Sequence, residues 1–171
     1  MANQRVRVRP ARTQDVSAIA QLMQPLVDRR ILLGKELVDL YSSVPEFMVA
    51  VDANENVIGY GAVHVMWEGL GEVRSLGVSE DWLGTGVGHT LLEALESHAR
   101  ELGLRQLFCL TFEVDFFSHQ GFEVISEDTQ LVAAEVYAEL LRSHDEGIAE
   151  FLNLARVKTN TLGNTRMLKT L

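Results

Sequence analysis

The stretch Leu83-Gly84-Thr85-Gly86-Val87-Gly88 holds three glycines in five residues, between a predicted strand and a predicted helix. Glycine allows tight turns and lets a ligand approach the backbone, because it carries no Cβ. The free N–H groups of a first helical turn point outward along the axis, where the helix dipole favours negative charge. The stretch therefore predicts an anion-binding turn suited to a diphosphate, and a glycine-rich turn without a ligand is the alternative.

The spacing of this turn excludes two common phosphate loops. No Gly-Lys-Ser/Thr follows it, as a Walker A loop requires. From Gly84 it spells Gly-x-Gly-x-Gly, whereas a dinucleotide fold has Gly-x-Gly-x-x-Gly near the start of a βαβ unit. Here the turn lies in mid-chain.

The segments around the turn predict a mixed α/β fold. Residues 47–51, 57–66 and 72–78 have strand character and short turns between them, which predicts an antiparallel meander. After the turn, an amphipathic helix is expected to end at Gly103, and residues 107–111 form a buried strand parallel to the one before the turn. Further elements are expected at 13–25 (a helix capped by Thr13, with Pro25 ending or kinking it), 35–41 (helix), 115–120 (helix), 122–125 (strand), 133–141 (helix), and 148–157 and 165–171 (terminal strands, helix being open for the first).

Composition limits the function. The 171 residues suggest one domain, 1–171, and the formal net charge of -9 disfavours nucleic acid as a partner. The one cysteine, Cys109, lies in an apolar run and is expected in the core, and no Cys/His zinc pattern is present. No apolar stretch is long enough for a membrane span, so we expect a cytoplasmic protein without a metal or a membrane partner.

Two motifs resemble the GCN5-related N-acetyltransferases (GNAT). That family has Gln/Arg-x-x-Gly-x-Gly/Ala after a strand ending near Ala-Val, and the matching text here is Leu76-Gly77-Val78 followed by 83–88. The segment 116–122 resembles the family's aromatic-x-x-x-Gly-Phe. The resemblance implies a mostly antiparallel sheet flanked by helices, whose central parallel pair splays apart at the acetyl-CoA site. The core would be residues 5–125, with a helix and strand extension over 126–171.

Within that family the chain resembles short, single-domain N-acetylglutamate synthases of actinobacteria. The segments that carry this likeness are 31–35, 70–76, 110–117 and 157–167. It implies acetyl transfer from acetyl-CoA to the α-amino group of a free amino acid, L-glutamate or L-glutamine, in a ternary complex, as in the first step of arginine biosynthesis. Leu83 replaces the family's Gln/Arg, and Phe117 replaces the tyrosine that serves many members as general acid.

The resemblance also implies the site residues. The coenzyme would be bound by Leu76, Gly77, Val78, Leu83, Gly84, Thr85, Gly86, Val87 and Gly88. Glu72 and Glu113 are the candidate bases for the amine, directly or through water, and a water chain ending at backbone carbonyls is the alternative. The carboxylates of the acceptor need cations, for which we propose Lys35 and Arg166, with Arg74 nearby and Ser75 adding a hydrogen bond.

Other functions stay open at this stage. A GNAT enzyme can act on a protein N-terminus or another small amine. The missing tyrosine leaves room for a non-catalytic acyl-CoA-binding module. A homodimer formed through the terminal strands is a further expectation.

Overall fold

A computed structural model describes residues 5–152 and 163–171. These residues form a seven-stranded sheet of order β1-β2-β3-β4-β5-β7-β6. Its strands are β1 (Arg7–Pro10), β2 (Phe47–Val51), β3 (Val57–Trp67), β4 (Leu70–Val78), β5 (Gln106–Thr111), β6 (Glu123–Val124) and β7 (Thr165–Thr170). Neighbouring strands are antiparallel except β4 and β5, which are parallel. The predicted mixed sheet with one parallel pair is confirmed.

Helices cover both faces of the sheet. They are α1 (Val16–Asp28), α2 (Leu37–Ser42), α3 (Val87–Glu101), α4 (Val114–His119), α5 (Ala134–Leu140) and α6 (Glu146–Phe151). On one face, α3 buries Leu92 and Leu95 against Val63, Val73 and Cys109 of the strands. On the other, α1 packs its Ile19 against Tyr60 of β3, and α6 packs Phe151 with Phe108 of β5. The space between α2 and α6 on this second face leaves part of β3 and β4 open.

The parallel pair β4–β5 is short. The paired residues are Leu70 with Gln106, Gly71 with Leu107 and Glu72 with Phe108. Beyond Glu72, β4 runs on to Val78 alongside β3, while β5 runs on to Thr111 alongside β7. The two strands therefore separate, and the edge of β4 from 73 to 78 faces a gap. This is the splay expected from the resemblance.

A bulge in β4 lies beside this gap. Tyr60 pairs with Gly77 and Ala62 with Arg74, so two residues of β4, Ser75 and Leu76, face only Gly61 of β3. Ser75 takes a left-handed backbone (φ 55°), which is uncommon for a residue with a side chain. The extra residue changes the alternation of side chains along β4. As a result, Arg74 and Ser75 both line the same cavity.

Two predicted elements, the helix over 13–25 and the segment 148–157, differ from the structure. Helix α1 continues through Pro25, because the missing N–H of Pro25 removes one bond, while its carbonyl still accepts from the N–H of Arg29 at 3.1 Å. Thr13 begins a short 3-10 turn, and Asp15 precedes α1. Residues 148–151 are helical and not a strand, since the Asp145 side chain accepts from the N–H of Ile148 at 2.9 Å and caps α6. Residues 153–157 of that prediction lie outside the described part of the chain.

The ends of the sheet are β1 and the two-residue β6, and β7 lies inside it. Along 5–152 and 163–171, no helix has both the length and the apolar character to cross a membrane.

Candidate active site

The glycine turn forms the entry to α3. Gly84 and Gly86 have φ of 72° and 91°, which is the left-handed region, and Gly86 is the residue that precedes the helix. A Cβ built on either glycine would meet nothing within 4 Å. Internal packing therefore does not explain these glycines. They provide the backbone conformation and keep the surface of the turn open.

The amides of this turn suit an anion. No acceptor among the described residues is hydrogen-bonded to the N–H groups of Gly84, Gly86, Val87 or Gly88. Three of these groups open α3, a helix of 15 residues, and the dipole of such a helix favours negative charge at its start. The turn thus fits the diphosphate of a coenzyme A thioester. The strand that precedes the turn is β4, whose edge faces the gap between β4 and β5.

Gly77 has a packing role of its own. The hydroxyl of Tyr60 lies against its Cα, and a Cβ on residue 77 would come within 2.6 Å of the Tyr60 Cζ. Tyr60 is completely buried, and its hydroxyl has no hydrogen-bond partner among the described residues. Burial raises the pKa of this phenol, so it stays protonated. Gly77 was predicted to bind the coenzyme. The packing of Tyr60 gives a separate reason for glycine at this position, because a side chain there would overlap the tyrosine ring.

A polar cavity of about 590 Å³ adjoins the gap on the face shared by α2 and α6. It is lined by the loop 31–36 and α2 on one side and by 144–147 and Glu150 on the other, with β3, β4 and β5 as its floor. Of the predicted catalytic and substrate residues, Lys35, Glu72, Arg74 and Ser75 line it. Glu113 and Arg166 are not among its lining residues.

A buried ion network forms one wall of the cavity. The Arg74 Nε donates to Glu72 Oε2 at 2.6 Å, and its two terminal nitrogens donate to the carboxylate of Asp145 at 2.6 and 3.1 Å. The side chains of Glu72 and Arg74 are only 6% and 10% exposed. Burial opposes the charge of Arg74, but both carboxylates raise its pKa. Arg74 therefore joins β4 to the start of α6 and is already paired with two carboxylates.

Asp145 makes this network sensitive to acid. Burial alone would raise the pKa of its carboxyl, but the hydrogen bonds and charge of Arg74 outweigh this effect and lower the pKa to about 2. Since the folded pKa lies below the ordinary value of 3.8, the ionised pair stabilises the fold above about pH 4, and this stabilisation is lost as the pH falls toward 2.

We therefore expect Asp145→Asn, which keeps the helix cap, to lower the free energy of unfolding by about 1–2 kcal/mol at pH 7, allowing for the one-third exposure of the side chain. Urea titrations at pH 7 and at pH 2.5 measure the difference, which should shrink at the lower pH. Glu139→Gln in the exposed pair with Arg142 is the control and should show little effect at either pH. An equal loss at both pH values would contradict this account.

The remaining predicted residues have other surroundings. Arg166 of β7 donates to the carbonyls of Glu150 and Phe151 at 2.7 and 2.8 Å, at the C-terminal end of α6, and lies over the Phe108 ring at 5.7 Å. Burial lowers its pKa against the raising effect of nearby carboxylates, among them Glu72. Glu113 is exposed and precedes α4. Lys35 is half-buried in the cavity wall, with no ion pair to another described residue.

Sequence reasoning missed three groups that the fold brings to this face of the sheet. His64 and Glu46 form a pair that lines the cavity, and Asp145 completes the Arg74 network. For Asp145, the N-cap position before an apolar helical pattern was an available signal. For the other two, which are 18 residues apart, only the register of β2 and β3 brings them together.

The family model for the acetyltransferase (GNAT) family matches residues 20–122, which include the glycine turn, β4 and β5. The chain belongs to the acetyltransferase (GNAT) family. It is also similar to the amino-acid acetyltransferase of Mycobacterium tuberculosis strain H37Rv. That likeness is 50% identity over 163 residues, which cover 94% of this chain and 92% of the relative.

Two solved structures extend the comparison. The crystal structure of Rv2747 from Mycobacterium tuberculosis in complex with CoA and NLQ matches with a TM-score of 0.91 and 48% identity, over 96% of this chain and 99% of that one. N-acetylglutamate synthase from Neisseria gonorrhoeae, complexed with coenzyme A and L-arginine, matches with a TM-score of 0.70 and 25% identity. This match covers 97% of the present chain and 33% of that longer one, so it corresponds to one part of the synthase.

Proposed function

We propose that this GNAT enzyme transfers the acetyl group of acetyl-CoA to the α-amino group of L-glutamate or L-glutamine, by direct transfer in a ternary complex. One observation carries the proposal. The gap between β4 and β5 lies next to the open glycine turn and next to a polar cavity, so a thioester in the gap and an amino acid in the cavity would meet at β4. The activity of the M. tuberculosis relative, an amino-acid acetyltransferase at 50% identity, supports the same reaction.

The coenzyme would be bound mainly by backbone groups. The amides of Gly84, Gly86, Val87 and Gly88 would hold the diphosphate, with Thr85 and Leu83 flanking it. The edge of β4 at Leu76, Gly77 and Val78 would accompany the pantetheine arm along the gap. The side chain of Leu83 cannot donate a hydrogen bond to a phosphate, so the backbone amides would supply these contacts. A backbone N–H near Val78 is the candidate donor to the oxyanion.

The acceptor would be held by the cavity. Lys35 lines the cavity with no ion pair to another described residue and is the candidate cation for a carboxylate, and Ser75, at the bulge, is a candidate hydrogen-bond partner. Glu72 has one carboxylate oxygen bonded to Arg74, and its other oxygen has no hydrogen bond to a described residue, so it can accept from the ammonium group or from a water. Holding the amine next to the thioester supplies much of the acceleration through proximity.

Arg74 and Arg166 fit a supporting role better than direct binding, because each guanidinium is engaged by the protein. Arg166 fixes α6, which forms one wall of the cavity. Phe117 is buried in the aromatic cluster with Phe116 and Phe122, and a phenyl ring cannot protonate the departing thiolate. Glu113 remains a candidate only through water, since it is exposed outside the cavity.

A panel of free amino acids, polyamines and peptides with acetyl-CoA tests the proposal. Released thiol is measured, and the product is identified by mass spectrometry. We expect turnover with glutamate or glutamine and little with peptides. Turnover of a peptide but not of these amino acids would favour an enzyme that acetylates protein N-termini. Tight CoA binding without transfer would favour a non-catalytic acyl-CoA-binding module.

Lys35→Ala tests the carboxylate partner. Loss of one charge-assisted contact should raise the KM for the amino acid about 10- to 100-fold, while the KM for acetyl-CoA changes less than twofold. Steady-state kinetics with each substrate varied separately measure both constants. Arg29→Ala removes an exposed cation six residues earlier in the chain and is the matched control. Unchanged amino-acid affinity in the Lys35 variant would remove Lys35 from the site.

The other expectations on organisation stay predictions. They are a single domain over 1–171 with a core at 5–125, a homodimer, a cytoplasmic location and no nucleic-acid or membrane partner. Light scattering after size-exclusion chromatography measures the mass of the particle in solution.

A further inference from the structure

A histidine–carboxylate pair faces the polar cavity beside Glu72. The Nδ1 of His64 lies 2.8 Å from Oε1 of Glu46, and both residues line the cavity. His64 belongs to β3 and pairs directly with Glu72 of β4, so the two side chains leave the same face of the sheet. Glu46 ends the short 3-10 turn Val44–Glu46 and approaches from the side of α2.

The pairing leaves the second ring nitrogen available. With Nδ1 bonded to Glu46, the Nε2 of His64 has no partner among the described residues. The side chains of His64 and Glu46 are 21% and 31% exposed, and both line the cavity. A carboxylate that accepts from Nδ1–H fixes the tautomer whose Nε2 carries the lone pair. The imidazole is therefore oriented as a proton acceptor.

The carboxylate of Glu72 is less available to take a proton than the imidazole of His64. Its Oε2 accepts the 2.6 Å bond from Arg74, which is itself fixed by Asp145. The charge of His64 also contributes to the low pKa of Asp145, so these groups are close enough to interact.

We propose that His64, oriented by Glu46, removes the proton from the ammonium group of the acceptor, while Glu72 positions that group. This inference rests on the proposed function. The lone pair of Nε2 takes one proton from the ammonium, and the free amine attacks the thioester carbon. After the carbon–sulfur bond breaks, the second proton leaves the nitrogen. Of the two protons, one ends on the coenzyme thiolate and the other in the solvent.

Other charged groups face the same cavity and set its electrostatics. From β4 these are Glu72 and Arg74. From α6 and the two residues before it, they are His144, Asp145, Glu146 and Glu150. From α2 and its preceding loop, they are Lys35, Glu36 and Asp39.

The test compares pH profiles of kcat/KM for the amino acid in the wild type, His64→Gln, Glu46→Gln and Glu72→Gln. Glutamine at 64 can still bond Glu46, so folding should be kept. We expect His64→Gln to lower kcat about 100-fold, as expected for loss of a general base, with little change in the KM for acetyl-CoA. Its rate should rise with pH toward the pKa of the substrate amine, because only amine that is already deprotonated can react.

The wild type should instead lose activity at acid pH as the imidazole becomes protonated. Glu46→Gln should lower kcat, since it removes the carboxylate that orients the imidazole. Glu72→Gln should raise the KM for the amino acid but keep the acid limb, and His98→Gln on α3 should match the wild type. The proposal is overturned if His64→Gln keeps its rate within threefold and its profile, or if Glu72→Gln alone abolishes the acid limb. Failure of the proposed function would show in the wild type itself, as absent turnover of amino acids, and this inference would fall with it.

Discussion

Gly86→Ala should weaken coenzyme A binding about 100-fold and lower kcat/KM for acetyl-CoA by a similar factor. Residue 86 has φ of 91°, which costs an alanine about 1 kcal/mol or more, and its N–H is among those that would hold the diphosphate. Loss or misalignment of two charge-assisted hydrogen bonds is worth about 3 kcal/mol, which corresponds to about 100-fold in Kd. The new methyl group meets nothing within 4 Å, so packing is not disturbed. Calorimetric titration with CoA measures the change.

Gly103→Ala is the matched control for this variant. Gly103 follows the other end of α3, has φ of 81°, and likewise has open space where a Cβ would lie. The two variants should lose similar stability, about 1 kcal/mol each, but only Gly86→Ala should lose CoA affinity. Equal CoA affinity in both variants would remove the glycine turn from the coenzyme site.

Arg74→Met should have the largest effect on stability. It leaves Glu72 buried without its cation and frees Asp145 from β4, and breaking a buried pair in this way costs about 3–5 kcal/mol. Chemical denaturation at pH 7 measures the loss. The double variant Arg74→Met/Glu72→Gln should regain part of it, because a neutral amide is less costly to bury than a carboxylate.

The control for this prediction is Arg142→Met. Arg142 pairs with Glu139 on the surface at 2.9 Å, with its side chain 76% exposed, so the expected change is below about 0.5 kcal/mol. The sequence also made Arg74 a candidate to bind the carboxylate of the substrate. That role would be favoured if Arg74→Met were as stable as the wild type and raised only the KM for the amino acid.

The local sequence pattern was enough to predict most strands and helices of the fold. The strand of residues 47–51 was predicted with its observed bounds, and β3 to β7 were placed within about two residues, because alternation and turn residues identify them locally. The glycine turn was predicted as the entry to a helix from its glycines and from the amphipathic pattern that follows it. The short region 148–151 is ambiguous between strand and helix by hydrophobicity, and the cap at Asp145 decides it.

The site was less accessible to sequence reasoning, because its contacts depend on register. Arg74 lies near Ser75 in sequence, but the bulge decides that both line the cavity, and no local pattern marks that bulge. His64 and Glu72 are neighbours only through strand pairing. Arg166 was predicted to bind substrate from its segment, while the structure places its donors on the carbonyls of α6.

The most direct measurement is an amide ¹⁵N–¹H NMR titration of the 171-residue protein with CoA and, separately, with pantetheine. If the N–H groups at the start of α3 bind the diphosphate of the coenzyme, CoA should move the resonances of Gly84, Gly86, Val87 and Gly88 strongly downfield. Pantetheine, which lacks the diphosphate, should leave them nearly unmoved. Saturating CoA that shifts other amides while these four stay in place would contradict the account.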